Sequence, residues 1–386
     1  MAHRSLSAKY LIVLVAVAMG GILALSCGDG KDEAGQPTVR LNELQFIGTH
    51  NSYHIQPPKA GIDAIALFDP DFAKSIEFTH PPLRSQFDSG IRQIELDVYY
   101  DPEGGRFAKR MYAEFIGLAA TEGLDQLRAP GFKVLHSPEA DFYSTCWTLK
   151  SCLEEILAWS DANPGHLPIA VFLEPKDEPT DDPLNIGIVQ PLPFDATAVF
   201  AMEAEIMAVF SRDRLITPDG VRGDRATLEE AVLEAGWPAV QDTLGKVMFV
   251  LMDEAAKRAA YTTGAPSLEG RVMFTTSSEG QPDAAVLKVD DVRGAEEQVQ
   301  RLVRAGYIVR TMADAESVEV RANDTGRRDA SFRAGAHYVS TDYPQSIGVA
   351  ASTGYVVRFP DGSLVRCNPV TASASCAAAL SPLARR

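Results

Sequence analysis

The amino-acid sequence predicts an α/β fold, a single parallel (β/α)8 barrel of the TIM type, and three observations lead to it. Apolar runs of strand length recur eight times, helical periodicity fills several of the gaps between them, and the early runs each stop at an acid or an imidazole. In a parallel barrel every strand points the same way, so residues that end successive strands gather on one rim. A chain of 386 residues with 46% hydrophobic content can bury such a core.

The expected strands are Leu44–Gly48, Ile91–Val98, Phe132–His136, Pro168–Glu174, Lys246–Met252, Arg271–Thr276, Tyr307–Met312 and His337–Thr341. Helical spacing of apolar residues marks Leu149–Ser160, Asp195–Phe210, Leu228–Glu234, Ala295–Arg304 and Arg327–Gly335. Two long, Pro-rich insertions, Ile55–Arg84 and Asp177–Ala196, follow the first and fourth strands and should overhang the rim. The barrel is expected over residues 41–350. Residues 351–386 add a hairpin-like stretch, YVVRFPDGSLVRC, and an Ala/Ser-rich end.

Residues 1–26 read as a signal segment outside the fold. Arg4 and Lys9 give it a positive start, Tyr10–Leu25 is a short apolar run, and LALSC ends at Cys27. This pattern is similar to a bacterial lipoprotein signal with Cys27 as the lipid anchor, although Ala24 stands where a large aliphatic residue is usual. An ordinary secretory signal or an uncleaved anchor is the alternative, and each version exports the protein. Residues 27–40, polar and Gly-rich, read as a tether. Four cysteines remain, an even count that suits an oxidising compartment. Proximity pairs Cys146 with Cys152 and Cys367 with Cys376, each bridge contributing roughly 2–3 kcal/mol in the chain-entropy model.

The net charge of −16 and pI near 4.9 argue against a nucleic-acid surface, which needs clustered Lys and Arg, and against broad adhesion to anionic lipid. A monomer is expected.

The chemistry begins at FIGTHNSYH. Phe46 and Ile47 end a buried strand, Gly48 lets the backbone turn, and Thr49, His50, Asn51 and Ser52 place polar side chains at its carboxyl end. In IRQIELDV, Glu95 and Asp97 are two apart and leave one face of a strand; FKVLHS reaches His136, and LPIAVFLEPKD reaches Glu174. Singly, each is ordinary, since a lone histidine after a strand is more often a satisfied loop residue. On one rim they make three carboxylates, an amide oxygen and two imidazoles. That oxygen set suits Ca2+, and less well Mg2+, rather than zinc or copper, and histidines outside the metal can move protons.

Weaker candidates surround this set. Lys176 would contact a substrate phosphate or sit as a solvated loop lysine. Arg310 ends the seventh expected strand on the same rim and is a second substrate-binding candidate, and Asp342 and Tyr343 follow the eighth. His54 imitates helical metal spacing with His50, but Pro57 and Pro58 argue against a helix. His80, His166 and His337 read as structural.

THNSY, IELDVYYD, VLHS and PIAVFLEP, in that order, resemble the calcium-dependent phosphatidylinositol-specific phospholipase C barrel in its bacterial form. The resemblance spans about Leu41 to Pro344 and weakens after Lys176. It implies Asn51, Glu95, Asp97 and Glu174 as calcium ligands and His50 and His136 as the catalytic pair. It implies cleavage of a glycerol–phosphate ester by an adjacent inositol hydroxyl, with Glu95 or Glu174 as base, His50 stabilising charge and His136 protonating the leaving group. In calcium-independent relatives an aspartate resembles the position of Asn51 and a basic residue replaces the metal; here Glu95 and Asp97 would repel one another without a cation. Two other readings remain: a glycerophosphodiester or sphingomyelinase D type of phosphodiesterase, which typically begins His-Arg-Gly rather than His-Asn-Ser, and a non-enzymatic lipoprotein that binds head groups.

Overall fold

The first strand, β1 (Leu44–Thr49), is buried at all six positions, as a strand covered on both faces must be. A computed structural model describes residues 38–117, 123–182, 184–253 and 255–381. The signal-like segment, Cys27 and nearly all of the tether lie outside the described residues.

Among the described residues nine further strands follow: β2 (Gln93–Tyr99), β3 (Lys133–Val134), β4 (Ile169–Pro175), β5 (Val247–Leu251), β6 (Met273–Thr275), β7 (Val286–Lys288), β8 (Ile308–Met312), β9 (Tyr338–Thr341) and β10 (Val365–Cys367). Parallel ladders join β2 to β4, β4 to β5 and β5 to β6, and a second set joins β7 to β8, β8 to β9 and β9 to β1. A parallel bridge between Thr276 and Val286 connects the two sets. Eight parallel strands thus follow one another in the order β2-β4-β5-β6-β7-β8-β9-β1, which is the expected barrel.

Among the described residues no ladder joins β1 to β2. Instead, β10 pairs antiparallel along the first half of β1, Leu44 opposite Cys367 and Phe46 opposite Val365. The Gln93 side chain fills the space beside the second half, and Ser340 Oγ donates to its Oε1 at 2.6 Å. A Cβ on Gly48 would meet Gln93 Oε1 at 1.8 Å, so glycine there permits the close approach.

Two strand expectations need correction. Phe132–His136 is not a barrel stave: only Lys133–Val134 is extended, and it runs antiparallel to β2, Val134 opposite Val98. The helices described between β2 and β3, Met111–Phe115 and Leu124–Arg128, are too short to carry the chain across the back of the barrel, so it turns back on the same end of β2. The missing stave is Val286–Lys288, whose three residues fall below the length at which periodicity is readable.

The helices between staves match their patterns to within two residues. Leu149–Ala162 starts on a Thr148/Ser151 capping box and buries Leu149, Leu153, Ile156 and Trp159. Ala196–Val209 starts on Asp195, whose carboxylate accepts from Ala198 N. Glu296–Ala305 and Gly326–Ala334 stand where helices were expected, while Leu228–Glu230 continues as a wider turn through Ala235. The insertion after β1 is partly ordered into Lys59–Ala66, Pro70–Ser75 and Leu83–Asp88. The C-terminal hairpin is corrected to a turn over Phe359–Ser363 whose second arm, β10, pairs with β1 rather than with the stretch before the turn. Both disulfides, Cys146–Cys152 and Cys367–Cys376, join the expected partners. No helix of the described residues is long and apolar enough to cross a membrane.

Candidate active site

Asn51 turns the chain out of β1. Its φ of 42° lies in the left-handed region, which asparagine tolerates better than most residues. The next residue, Ser52, replaces the missing ladder: its N–H donates to Glu95 O at 2.9 Å and its Oγ accepts from Glu95 N at 2.8 Å. Gln86 donates to Ser52 O and accepts from Thr49 Oγ1, which locks this turn against β2.

On β2, Glu95 and Asp97 share one face, and Asp97 lies in register with Glu174 on β4. Oxygens of these three carboxylates lie within 4.8 Å of one another. Such crowding of like charges calls for cations, and three protein groups supply part of that charge. Arg310, with 1% of its side chain exposed, donates to Glu95 Oε2, to Asp290 and to Ser340. Lys176 Nζ lies 3.2 Å from Glu174 Oε1 and 3.4 Å from Asp97 Oδ2. His50 Nε2 lies 3.5 Å from Glu95 Oε1. Even so, Glu95 Oε1 and both oxygens of Asp97 are buried and accept no hydrogen bond. Burial raises the Asp97 pKa, whereas for Glu174 the same penalty is outweighed by Lys176 and His50 and the pKa falls. Buried, unsatisfied carboxylate oxygens are costly unless something binds them, and an all-oxygen donor set fits a hard divalent cation such as calcium. Asn51 is buried as well, and its Oδ1 accepts from Tyr53 OH, a hydroxyl whose pKa is raised by burial and then by Asp97.

The two histidines face a cleft of about 540 Å³, lined also by Asn51, Phe72, Phe78 and Asp342. His50 Nδ1 is 2.9 Å from Asp342 Oδ1. Burial opposes its charge, but Asp342 and Glu95 outweigh burial and push its pKa up to about 10. His80 holds its backbone: burial pushes the His80 pKa down to about 4, and Nε2 of this neutral ring contacts His50 O at 2.9 Å. His136 Nδ1 is 2.7 Å from Asp141 Oδ2. Here too burial opposes protonation and Asp141 outweighs it, raising the pKa. Because β3 runs back along β2, His136 enters the site from above the rim rather than from the end of a stave.

Most sequence-derived candidates therefore meet, with altered partners for two. Lys176 and Arg310, expected near a substrate phosphate, bind the carboxylate cluster itself. Arg310→Met is accordingly expected to cost ~3–5 kcal/mol in urea unfolding, the range for breaking a buried ion pair, whereas a solvated phosphate-contacting arginine would cost little. Three residues were missed or undervalued. Asp342 was legible only by strand register, Asp290 depends on the unseen β7, and Asp141 carried no signal beyond lying five residues after His136.

A family profile described as phosphoinositide phospholipase C, Ca2+-dependent, matches residues 39–369. No curated protein matches the chain. Among solved structures, the apo calcium-dependent phosphoinositol-specific phospholipase C of a Pseudomonas species, in complex with myoinositol, is 16% identical. It superposes over 86% of this chain and 96% of its own with a TM-score of 0.50. The Ca2+-dependent phosphatidylinositol-specific phospholipase C of Streptomyces antibioticus is 18% identical over 81% of this chain and 97% of its own, with a TM-score of 0.51. These likenesses agree on the barrel. With the profile covering nearly all of the described chain, and the carboxylate cluster and two cleft histidines in place, the chain belongs to the Ca2+-dependent phosphoinositide phospholipase C family of phosphoric diester hydrolases.

Proposed function

We propose that this chain cleaves the glycerol–phosphate ester of phosphatidylinositol or a closely related inositol phosphodiester, using the side chains of His50, His136 and Glu95. The observation that carries this reading is that two imidazoles share one cleft, each held by its own carboxylate, and that His50 adjoins a cluster of three carboxylates, two of which, Glu95 and Asp97, keep unpartnered buried oxygens. Asn51, Glu95, Asp97 and Glu174 would hold Ca2+, which when bound supplies positive charge for the inositol hydroxyl and the phosphate. His50, cationic and fixed by Asp342, stabilises negative charge as it develops on the phosphoryl oxygens. Glu95 Oε1, the oxygen not taken by Arg310, accepts the proton of the attacking hydroxyl, and His136 donates one to the departing glycerol oxygen.

The insertions beside the cleft favour a lipid substrate. Leu67 and Phe68 are 82% and 60% exposed, and Phe68 lines a small apolar cavity that shares Asp69 and Phe72 with the main cleft. Phosphorus NMR of the products from phosphatidylinositol vesicles tests the reading: cyclic or open inositol phosphate with diacylglycerol supports it, and phosphatidic acid or intact lipid would overturn it.

We further propose export, with Cys27 as a lipid anchor, a reading that the two disulfides favour because such bridges persist in oxidising compartments. Cys27→Ser is then expected to move the protein from the membrane to the soluble fraction with unchanged activity on dispersed lipid. Retention at the membrane would point instead to an uncleaved helix.

A further inference from the structure

We propose that Asp141 and His54 position His136 for proton donation, Asp141 by fixing the tautomer of its ring and His54 by holding Asp141 in place. The proposal rests on the reading of His136 as the acid that serves the leaving group. Asp141 is fully buried and sits between two imidazoles: His136 Nδ1 is 2.7 Å from Oδ2, and His54 Nε2 is 2.8 Å from both Oδ1 and Oδ2. An ionised carboxylate only accepts, so each of these nitrogens carries the hydrogen and donates it. On His136 that leaves Nε2 as the nitrogen that gives up a proton. The proton passes from Nε2 to the glycerol oxygen as the P–O bond breaks, and the neutral ring that remains keeps its hydrogen on Nδ1, against Asp141.

The surrounding backbone is built for this arrangement. Directly after His136, Ser137 N donates to Asp141 O at 2.9 Å and Asp141 N donates to Ser137 O at 3.3 Å, closing a tight turn that returns Asp141 to the ring. His54 arrives from the other side, on the loop after β1. Thr145 N donates to Tyr53 O at 2.8 Å and Ile55 N to Tyr143 O at 3.2 Å, so residues 53–55 and 143–145 pair as a short antiparallel bridge. His54 has none of its surface exposed, and Phe78 stacks on it with ring centroids 4.2 Å apart. The Cys146–Cys152 bridge ties down the chain just beyond the paired segment. A buried aspartate held from both sides has little freedom to reorient, which is what control of a tautomer requires.

A purely structural His54–Asp141 staple would lower activity, if at all, without regard to the leaving group. The full chain with saturating calcium is therefore compared on phosphatidylinositol micelles and on an aryl phosphodiester of inositol, whose leaving group needs little protonation. Asp141→Asn should lower kcat on phosphatidylinositol by roughly 10²-fold with KM within about twofold, and by less than about fivefold on the aryl ester. Nitrogen-15 NMR of labelled histidine should find His136 protonated at Nδ1 in the native protein and shifted toward the other tautomer in the variant. His54→Phe keeps the ring stack but lacks the donor and should show the same leaving-group pattern, while His54→Gln keeps an N–H and should recover most of the rate. Equal losses on both substrates, an unchanged tautomer, or full activity of both Asp141→Asn and His54→Phe would overturn the proposal alone. Full activity of His136→Ala would overturn the reading of His136 as the acid, and this proposal with it.

Discussion

Excess chelator should stop the turnover of phosphatidylinositol, a loss on the order of 10³-fold or more if the cation supplies several kcal/mol of charge stabilisation. The expectation rests on the unpartnered oxygens of Glu95 and Asp97, which neither Arg310 nor Lys176 satisfies. Calcium should restore activity better than magnesium, because carboxylates and an amide on three different segments form an adaptable site, whereas magnesium needs near-octahedral geometry. Asp97→Asn separates binding from folding. Calorimetry should show much weaker calcium binding, yet the metal-free variant should melt no lower than the metal-free native protein, since a buried, unsatisfied charge has been removed. Calcium should also raise the Tm of the native protein by mass action and raise that of the variant far less. Full turnover in excess chelator, or a steep loss of metal-free stability in Asp97→Asn, would contradict the assignment of these oxygens to a cation.

His136→Ala should reduce turnover of phosphatidylinositol by roughly two to four orders of magnitude, the usual worth of a general acid. Calcium affinity should change far less than turnover, because His136 is bonded to Asp141 and supplies none of the clustered oxygens. An aryl phosphodiester of inositol should partly rescue this variant. The same substrate should not rescue His50→Ala, because the role proposed for His50 is that of a cation at the phosphoryl oxygens, and that demand does not fall with a better leaving group. His50 also lies beside Glu95, so its removal should alter calcium affinity more than removal of His136 does. Steady-state kinetics on the two substrates, with calorimetry alongside, check both statements. Equal loss on both substrates for His136→Ala, or a large fall in its calcium affinity, would mean that the acid lies elsewhere.

The readable part of the site is the part written into strand ends. Glu95 and Asp97 face one way because strand side chains alternate, and Glu174 joins them because it closes the adjacent parallel strand. The misread part follows from the same local logic. Phe132–His136 has the composition of a stave, yet pairs antiparallel, and His136 reaches the cleft all the same, from the opposite direction. Lys176 and Arg310 were placed on the correct rim, but rim position does not say whether a cation faces solvent, a phosphate or a carboxylate. Desolvation decides that: Arg310, buried to 1% exposure among acids, pairs with Glu95.

By itself, then, the sequence determined the barrel, the order of most of its staves, the disulfide partners and the chemical kinds gathered at the rim. These follow from periodicity, from loop length and from the shared direction of parallel strands, all of which act within a few residues or within one repeated unit. Tertiary structure decided what each imidazole leans on. Asp342 reaches His50 across 292 positions of sequence, and Asp141 is shared with His54, 87 positions away. It also decided the course of the chain between β1 and β2, where Gln93 and Ser52 stand in for a ladder because β10 occupies the edge of β1. Those outcomes depend on distant segments meeting and on burial setting the charge of what they bring together, which no local pattern encodes.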